Sequence, residues 1–176
     1  MSGTTVLRFS ITLSDVDRGL FTDLDLRLAR HPSETSEYLV TRVLAAALLW
    51  RDGLTFASGG ISDKDRPALF VEDAGRVELW VEIGSPSVDR FEKASKKSRS
   101  VVLVTTEAQR NRRTIEKSGA RVDVIGLPRD VVARLGETID RHAKWQVTVS
   151  GGTVFVGDEG GESYEMVVER EIVGGE

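Results

Sequence analysis

Between residues 33 and 105 the chain changes repeatedly from helical to strand periodicity, which limits the folds open to it. Apolar residues at helical spacing predict a long helix that begins at Ser33, a capping residue type, and runs to about Trp50. A hairpin follows, with strands at 68–73 and 77–83 around a turn at Ala74-Gly75. The segment therefore opens as a helix followed by a β-hairpin.

The remaining elements extend this α/β (α+β) pattern to both ends of the chain. Alternation from Val6 to Leu13 and from Leu24 to Leu28 predicts an N-terminal hairpin, and Gly151-Gly152 is typical of the turn of a C-terminal hairpin. The other predicted elements are helices at Ser87–Ser98, at Thr106–Ser118 and after Pro128, and strands at Leu54–Ala57, Ser100–Thr105, Ala120–Ile125, Gln146–Val149, Thr153–Val156 and Tyr164–Ile172.

Composition limits both the fold and the chemistry. A chain of 176 residues with 40% hydrophobic residues is typical of one globular domain, so we expect a single domain over 1–176. The absence of cysteine excludes disulfides, thiol nucleophiles and Cys-based zinc sites. A net charge of -4 means that nucleic acid would have to meet a local basic surface. Without a secretion signal or a membrane-spanning stretch, we expect a cytoplasmic protein with no membrane partner.

The strand at 77–83 carries acids on one face and apolar residues on the other. Glu78, Trp80 and Glu82 share the polar face, which is either an ordinary solvent-facing surface or the floor of a cleft. The Cα atoms of the two glutamates would be about 13 Å apart on a straight strand, so the two should not share one metal ion. Glu82 therefore needs an acidic partner from another segment.

Hairpin geometry indicates where that partner would lie. If Ala74-Gly75 is the turn, residue 73 pairs with 76 and the segment from Asp65 to Pro67 falls opposite residues 82–84. Asp65 is then the leading partner for Glu82, Asp63 is the alternative, and both could equally be loop acids on the surface. Such a carboxylate pair suits Mg²⁺ or Mn²⁺, because these ions prefer oxygen ligands.

The helix after Ser87 supplies basic side chains close to Glu82 in sequence. Arg90, Lys93 and Lys97 are spaced to lie along one side of that helix. A solvated helix face would explain these charges equally well. Because the helix begins only a few residues after Glu82, its first turns could also reach the same end of the sheet.

Two segments together resemble the YaeQ family: Leu-Ala-Arg-His-Pro-Ser-Glu-Thr at 28–35 and Glu-Leu-Trp-Val-Glu-Ile-Gly at 78–84. The likeness covers most of the first 105 residues and, more loosely, the remainder. That family looks like a variant of the PD-(D/E)XK nuclease fold, whose core order of helix, three strands, helix and strand matches the predicted order. The resemblance implies a mixed central sheet flanked by helices, with extra N- and C-terminal strands.

The resemblance also implies a catalytic set. Glu82 matches the acid of the Glu-x-Lys motif, but Gly84 occupies the lysine position, and Ala68 follows Pro67 where a Pro-Asp pair would place its aspartate. Similar nucleases take a migrated lysine from the following helix, which would be Lys93 here, while Asp65 could substitute for the missing aspartate.

The acid on the first helix would be Glu37 or, one turn earlier, Glu34, and we favour Glu37 because it lies deeper in the helix. Acids in a first turn also stabilise a helix by themselves, which is the better explanation of Glu34. Residues expected to contact a substrate are Trp80, Glu78, Arg90, Lys97 and His31.

Two functions fit these residues almost equally. One is an Mg²⁺- or Mn²⁺-dependent phosphodiesterase acting on DNA or RNA, with Glu82, Asp65 and Glu37 as metal ligands and Lys93 stabilising developing charge. The alternative is a module that has kept the fold, has lost the reaction and binds nucleic acid or a protein; Gly84 and Ala68 favour it. A weaker third reading is protein binding through the edges of the C-terminal hairpin.

Overall fold

A computed structural model describes residues 3–57 and 65–175, which form two β-sheets and four α-helices. No helix in these two ranges is long and apolar enough to cross a membrane. The helices are α1 (Ser36–Leu48), α2 (Val88–Lys97), α3 (Ala108–Ser118) and α4 (Arg129–Glu137). The strands are β1 (Thr5–Asp15), β2 (Leu20–Arg30), β3 (Thr55–Phe56), β4 (Leu69–Asp73), β5 (Arg76–Ile83), β6 (Ser98–Thr105), β7 (Val122–Gly126), β8 (His142–Ser150), β9 (Thr153–Asp158), β10 (Ser163–Val167) and β11 (Glu169–Val173).

The predicted central sheet is a mixed six-stranded sheet with the order β11-β7-β6-β5-β4-β3. Its middle strands β5, β6 and β7 are parallel, and the outer pairings are antiparallel. The extra terminal strands form a second sheet, here called the outer sheet, with the order β10-β9-β8-β1-β2. Both predicted terminal hairpins are confirmed, since β1 pairs with β2 and β8 pairs with β9 around Gly151 and Gly152.

Helix α1 lies between the two sheets, because one core cluster contains its side chains together with inward-facing residues of both. Every residue of α1 from Leu39 to Leu48 is buried, and a helix that is apolar on all sides needs a partner on all sides. A second cluster lies on the other face of the central sheet, where Trp80, Phe91 and Ile115 join β5 to α2 and α3. The strand carrying Glu82 is therefore covered on both faces.

The start of α1 differs from the prediction. Thr35, not Ser33, is the capping residue, and its Oγ1 accepts a hydrogen bond from the Tyr38 N–H at 3.1 Å. Ser33 instead contacts Nδ1 of His31, with its Oγ at 2.6 Å and its N–H at 3.1 Å. The helix starts later because Glu34, between these two residues, turns its side chain into the core, which leaves a separate turn at His31–Glu34.

The predicted strand Tyr164–Ile172 was wrong as a single element. The chain breaks at Val168, whose N–H donates to the Gly152 carbonyl at 2.9 Å. β10 joins β9 in the outer sheet, whereas β11 crosses over and pairs with β7 in the central sheet. A period-two pattern cannot reveal this crossover, because it gives the facing of side chains and not the sheet to which they belong.

The hairpin of β4 and β5 has nearly the predicted register. Asp73 pairs with Arg76 as expected, but an irregularity between Val71 and Glu72 shifts the pairing by one residue, so that Leu69 lies opposite Val81. The Ala68 N–H donates to the Val81 carbonyl at 3.0 Å. The shift brings Ala68 next to Glu82 and puts Asp65 further along, beyond the end of the pairing. Asp63, the alternative partner of Glu82, lies outside the described residues.

Candidate functional site

Glu82 is a buried carboxylate near the end of β5. Its Oε1 accepts two hydrogen bonds, from the Trp80 indole N–H at 2.7 Å and from Nε of Arg90 at 2.7 Å. Oε2 accepts no hydrogen bond from the described part of the chain. Burial raises the pKa of Glu82 above its ordinary value, and the hydrogen bond and charge of Arg90 counter only part of that rise.

A cavity of about 280 Å³ opens beside this carboxylate. Ala68 lines it and presents a methyl group to the cavity. Ser85 and Pro86 follow β5 and form part of the wall. Among the residues that the structure describes, the lining consists of Tyr38, Ala68, Glu82, Ile83, Ser85, Pro86 and Arg90. Glu82 is the only acid in this described set.

Gly84, where the resemblance would place a lysine, has a backbone conformation that disfavours lysine. Its φ of +84° lies in the left-handed region, which favours glycine, although a Cβ there would make only ordinary van der Waals contact with the Tyr38 ring at 3.6 Å. Asn111 also holds the Gly84 carbonyl, through an Nδ2 hydrogen bond of 3.0 Å. The backbone conformation at this position therefore favours glycine over lysine.

Helix α2 places the positive charge of Arg90 at the cavity. Arg90 donates a hydrogen bond to Glu82 from its Nε atom and another to the carbonyl oxygen of Arg66 from its Nη2 atom. Lys93, one turn further along, forms an ion pair with Asp65. This pairing lowers the pKa of Asp65, mainly through the hydrogen bond from Lys93. The structure thus brings Asp65 and Lys93 together, and the lysine is engaged by the aspartate.

The two candidate acids near α1 lie in different surroundings. Glu34 is fully buried and pairs with Arg42, whose nearest nitrogen is 3.1 Å from Oε1. Burial raises the pKa of Glu34, and Arg42 opposes the rise. Glu37, which we favoured from the sequence, is half-exposed and lies 3.9 Å from Arg129. Of the two acids, Glu34 is the one that acts electrostatically on the cavity residue Tyr38.

Tyr38 is the titratable residue of this site that the sequence did not indicate. Burial, reinforced by the charge of Glu82, raises the pKa of its phenol to about 12, so the hydroxyl stays protonated at neutral pH. Arg42, Glu34 and Arg90 act on the same phenol. One signal was available, since Tyr38 follows Glu34 by four residues and such residues share a helix face. Ser85 and Pro86 had no signal of their own.

Several predicted substrate contacts lie away from the cavity. Trp80 is 2% exposed, so its indole cannot stack on a ligand, and it serves as a hydrogen-bond donor to Glu82. Glu78 lies near the other end of β5, 3.5 Å from Arg99, and with Lys97 it lines a second cavity of about 560 Å³. His31 contacts Ser33 within its own turn.

The described residues do not assemble the expected metal-binding set. No group of three or more histidine, aspartate or glutamate side chains in residues 3–57 and 65–175 is placed to hold an ion. Glu82, Asp65 and Glu37 are each engaged by a cation, namely Arg90, Lys93 and Arg129 in that order.

The fold and this cavity define a class of α/β protein in which a six-stranded mixed sheet carries a buried, arginine-paired glutamate. A family model described as YaeQ protein matches residues 2–167. The chain therefore belongs to the YaeQ family.

Individual relatives agree with this assignment. The chain is 30% identical over 162 residues to "Uncharacterized protein YaeQ" of Escherichia coli strain K12, which covers 88% of this chain and 89% of the relative. The Salmonella typhi protein of the same description is 30% identical over 161 residues, or 88% of each chain. The crystal structure of YaeQ protein from Pseudomonas syringae matches with a TM-score of 0.87 and 32% identity, over 100% of this chain and 99% of that one. The YaeQ structure from Xanthomonas axonopodis pv. citri matches with a TM-score of 0.84 and 31% identity, over 99% and 100%.

Proposed function

We propose that this protein carries a variant of the PD-(D/E)XK nuclease core that binds nucleic acid and does not hydrolyse it. The order α1, β3, β4, β5, α2, β6 supports the core assignment, because it reproduces the helix, three strands, helix and strand of that superfamily. The parallel pairing of β5 with β6 through α2 is the crossover such a core requires. Within this core the cleft lies around Glu82.

One observation carries the binding proposal. A row of basic side chains, here called the basic strip, runs along α2 from the Glu82 cavity to the second cavity. A ten-residue helix is about 15 Å long, which is enough to follow a few phosphates of a nucleic acid strand. The strip consists of Arg90, Lys93, Lys96 and Lys97 of α2, with Arg76 and Arg99 at its far end. It supplies the local basic surface that an acidic protein needs for such a partner.

Two features of the Glu82 cavity argue against hydrolysis. The one carboxylate among its described lining residues already accepts two hydrogen bonds, and Ala68 and Gly84 replace the second acid and the lysine of the nuclease pattern. The buried Trp80 also leaves the strip without an aromatic platform, so contacts would be to phosphates and not to stacked bases. We therefore propose binding that tolerates many sequences and weakens steeply with salt.

Fluorescence anisotropy with labelled single- and double-stranded DNA and RNA, over a salt series, tests this proposal. The variant Lys96→Ala/Lys97→Ala should weaken binding severalfold and reduce the slope of log K against log salt by roughly 0.7 per lost contact on a single strand. Arg141→Ala/Lys144→Ala is the matched control, because it removes the same charge from exposed residues at β8 of the outer sheet. No binding at low salt, or equal losses in both variants, would reject the proposal.

Metal-dependent hydrolysis is the second candidate function. One observation favours it: Oε2 of Glu82 accepts no hydrogen bond from the described residues. However, the described residues do not fit an Mg²⁺ or Mn²⁺ site, because Glu82 is the one carboxylate among them that lines the cavity and Arg90 binds it. Calorimetric titration of Mg²⁺ and Mn²⁺ into wild type and Glu82→Gln distinguishes the cases. Hydrolysis would be favoured if wild type binds the metal ion and cleaves the labelled nucleic acids while Glu82→Gln does not bind the ion.

The alternative partner, a protein, and the expected cytoplasmic location stay predictions. A protein partner would be revealed if the basic strip bound acidic polypeptides, such as polyglutamate, more tightly than nucleic acid of equal charge. The third reading, binding through the C-terminal hairpin, involves β10, which forms one edge of the outer sheet.

A further inference from the structure

Strand β2 forms an unusually long edge of the outer sheet. It has 11 residues, about twice the common strand length, and among the described residues it pairs only with β1. One side of its backbone therefore carries N–H and C=O groups without a strand partner in this part of the chain. Such an edge accepts another strand unless the sequence prevents it.

Three common protections of a sheet edge are absent from β2, namely an inward-pointing charge, a proline and a bulge. The core-facing positions in its middle are Leu24, Leu26 and Leu28, so no charge points inward where a docking strand would be repelled. The strand contains no proline, and its pairing with β1 runs without a bulge from Leu20 to Arg30. An edge of this length without these devices is suited to pairing with another strand.

The charges on the exposed face of β2 are of both signs. Asp25 binds Arg8 of β1 through hydrogen bonds of 2.8 and 3.0 Å. Arg27 lies directly opposite Arg8 in the β1–β2 pairing, and like charges in that position repel. Arg27 makes no ion pair within residues 3–57 and 65–175. A second acid near Arg27 would therefore be favourable.

We propose that β2 pairs antiparallel with β2 of a second copy of this chain, with Leu26 on the two-fold axis. In that register Asp25 lies opposite Arg27 of the second copy, and symmetry repeats the contact. Leu24 then lies opposite Leu28 of the second copy, which continues the apolar layer beneath a ten-stranded sheet. Registers centred on residue 23, 24, 25 or 27 each place like charges directly opposite one another.

The other edge of the outer sheet does not offer the same contact. Strand β10 has five residues, and pairing it with itself about its central residue would place Glu165 opposite Glu165. The self-complementary edge is therefore β2. This dimer is independent of the proposed nucleic acid binding, because the basic strip lies on α2 and the other face of the central sheet.

Sedimentation velocity over a concentration series tests the proposal. Wild type should dimerise, and Arg27→Asp should raise the dimer dissociation constant by about tenfold or more, since two attractive contacts become repulsive. Asp25→Arg/Arg27→Asp restores opposite charges and should restore the dimer. Asp23→Arg is the matched control, because residue 23 faces Ala29 of the second copy in this register, and it should change little.

Each variant must also be shown to fold, by its thermal unfolding midpoint. Arg27→Asp should fold well, because it places an acid opposite Arg8 within the same copy. A wild type that stays monomeric, or an Arg27→Asp variant that dimerises as tightly as wild type, would overturn the proposal.

A distance measurement checks the register directly. Because the chain has no cysteine, Ala29→Cys would carry a single spin label on the exposed face of β2. With Leu26 on the axis, the two Cα atoms of residue 29 are six residues apart along the strands, or roughly 20 Å. A label separation well beyond this range, after allowance for the label arms, would exclude the proposed pairing.

Discussion

Two arginine–carboxylate pairs act on Tyr38, and they differ in their access to solvent. The Glu34–Arg42 pair is closed, with side chains that are 0% and 3% exposed. The Glu82–Arg90 pair opens on the cavity, since Arg90 remains 23% exposed and Glu82 lines the wall. The chemistry of the two pairs is the same, so differences in their behaviour should come from burial.

The closed pair is not fully satisfied. Oε1 of Glu34 and Nε of Arg42 are buried without a hydrogen-bond partner among the described residues, although the two charges are close. Buried pairs of this kind contribute little net stability, but losing one partner is costly because the other charge stays buried. The open pair can exchange one partner for water or a ligand, which is the property a binding site requires.

Removal of Arg42 should have the largest effect. Arg42→Ala leaves Glu34 buried without its cation and also removes the contact of the guanidinium with the Phe56 ring, 5.8 Å away. We expect the free energy of unfolding to fall by about 3–5 kcal/mol. Urea denaturation followed by circular dichroism measures this change.

The control replaces both members of the closed pair. Glu34→Leu/Arg42→Met removes both charges at similar volume and should recover most of the lost stability, as other buried pairs do when replaced by apolar residues. If the double variant is as unstable as Arg42→Ala, the loss of stability does not come from an uncompensated charge on Glu34, and burial does not explain the difference between the two pairs.

Removal of Arg90 should have a smaller effect, because water in the cavity can replace it at Glu82. We expect Arg90→Ala to lower the free energy of unfolding by about 1–3 kcal/mol in the same urea experiment. The variant should also weaken the proposed nucleic acid binding, since Arg90 begins the basic strip. A loss as large as that of Arg42→Ala would mean that the cavity does not admit water to Glu82.

The sequence predicted the acid at the centre of the open pair and missed the closed pair. Glu82 was visible because a strand with acids on one face and apolar residues on the other calls for an explanation. Glu34 was assigned to the helix start, because acids in a first turn are common. Its buried partner Arg42 lies eight residues later, and the sequence pattern does not show that this arginine is buried. Which acid turns inward depends on tertiary packing.

The fold was predicted better than the site for a related reason. Alternation and helical spacing are local, so they located the terminal hairpins, α1, α2 and the strand carrying Glu82. The bulge near Val71 and the crossover at Val168 depend on contacts between distant segments. The bulge near Val71 shifts the pairing by one residue, which moves Asp65 beyond the end of the hairpin and brings Ala68 next to Glu82.

The pH dependence of stability separates the charge of Glu82 from its hydrogen bonds. Its folded pKa is raised, so in the window above the unfolded value the folded protein keeps a proton that the unfolded chain releases. Stability of wild type should therefore fall relative to Glu82→Gln as pH rises from about 4.5 through the folded pKa, and the difference should level off above it. Urea denaturation of both proteins across this range measures the difference; the opposite trend would show that Arg90 outweighs burial.

The titration of Tyr38 should show the smallest effect and tests whether the open pair reaches the phenol. Burial is the main cause of its pKa of about 12, and the charge of Glu82 adds to it. In Glu82→Gln the pKa should fall below that value but stay above 10.0, because burial is unchanged. Stopped-flow pH jumps would read the phenolate absorbance before alkaline unfolding, with Tyr38→Phe separating its signal from that of Tyr164. An unchanged pKa in Glu82→Gln would mean that the charge of Glu82 does not reach Tyr38, so that the two ion pairs do not act on a common residue.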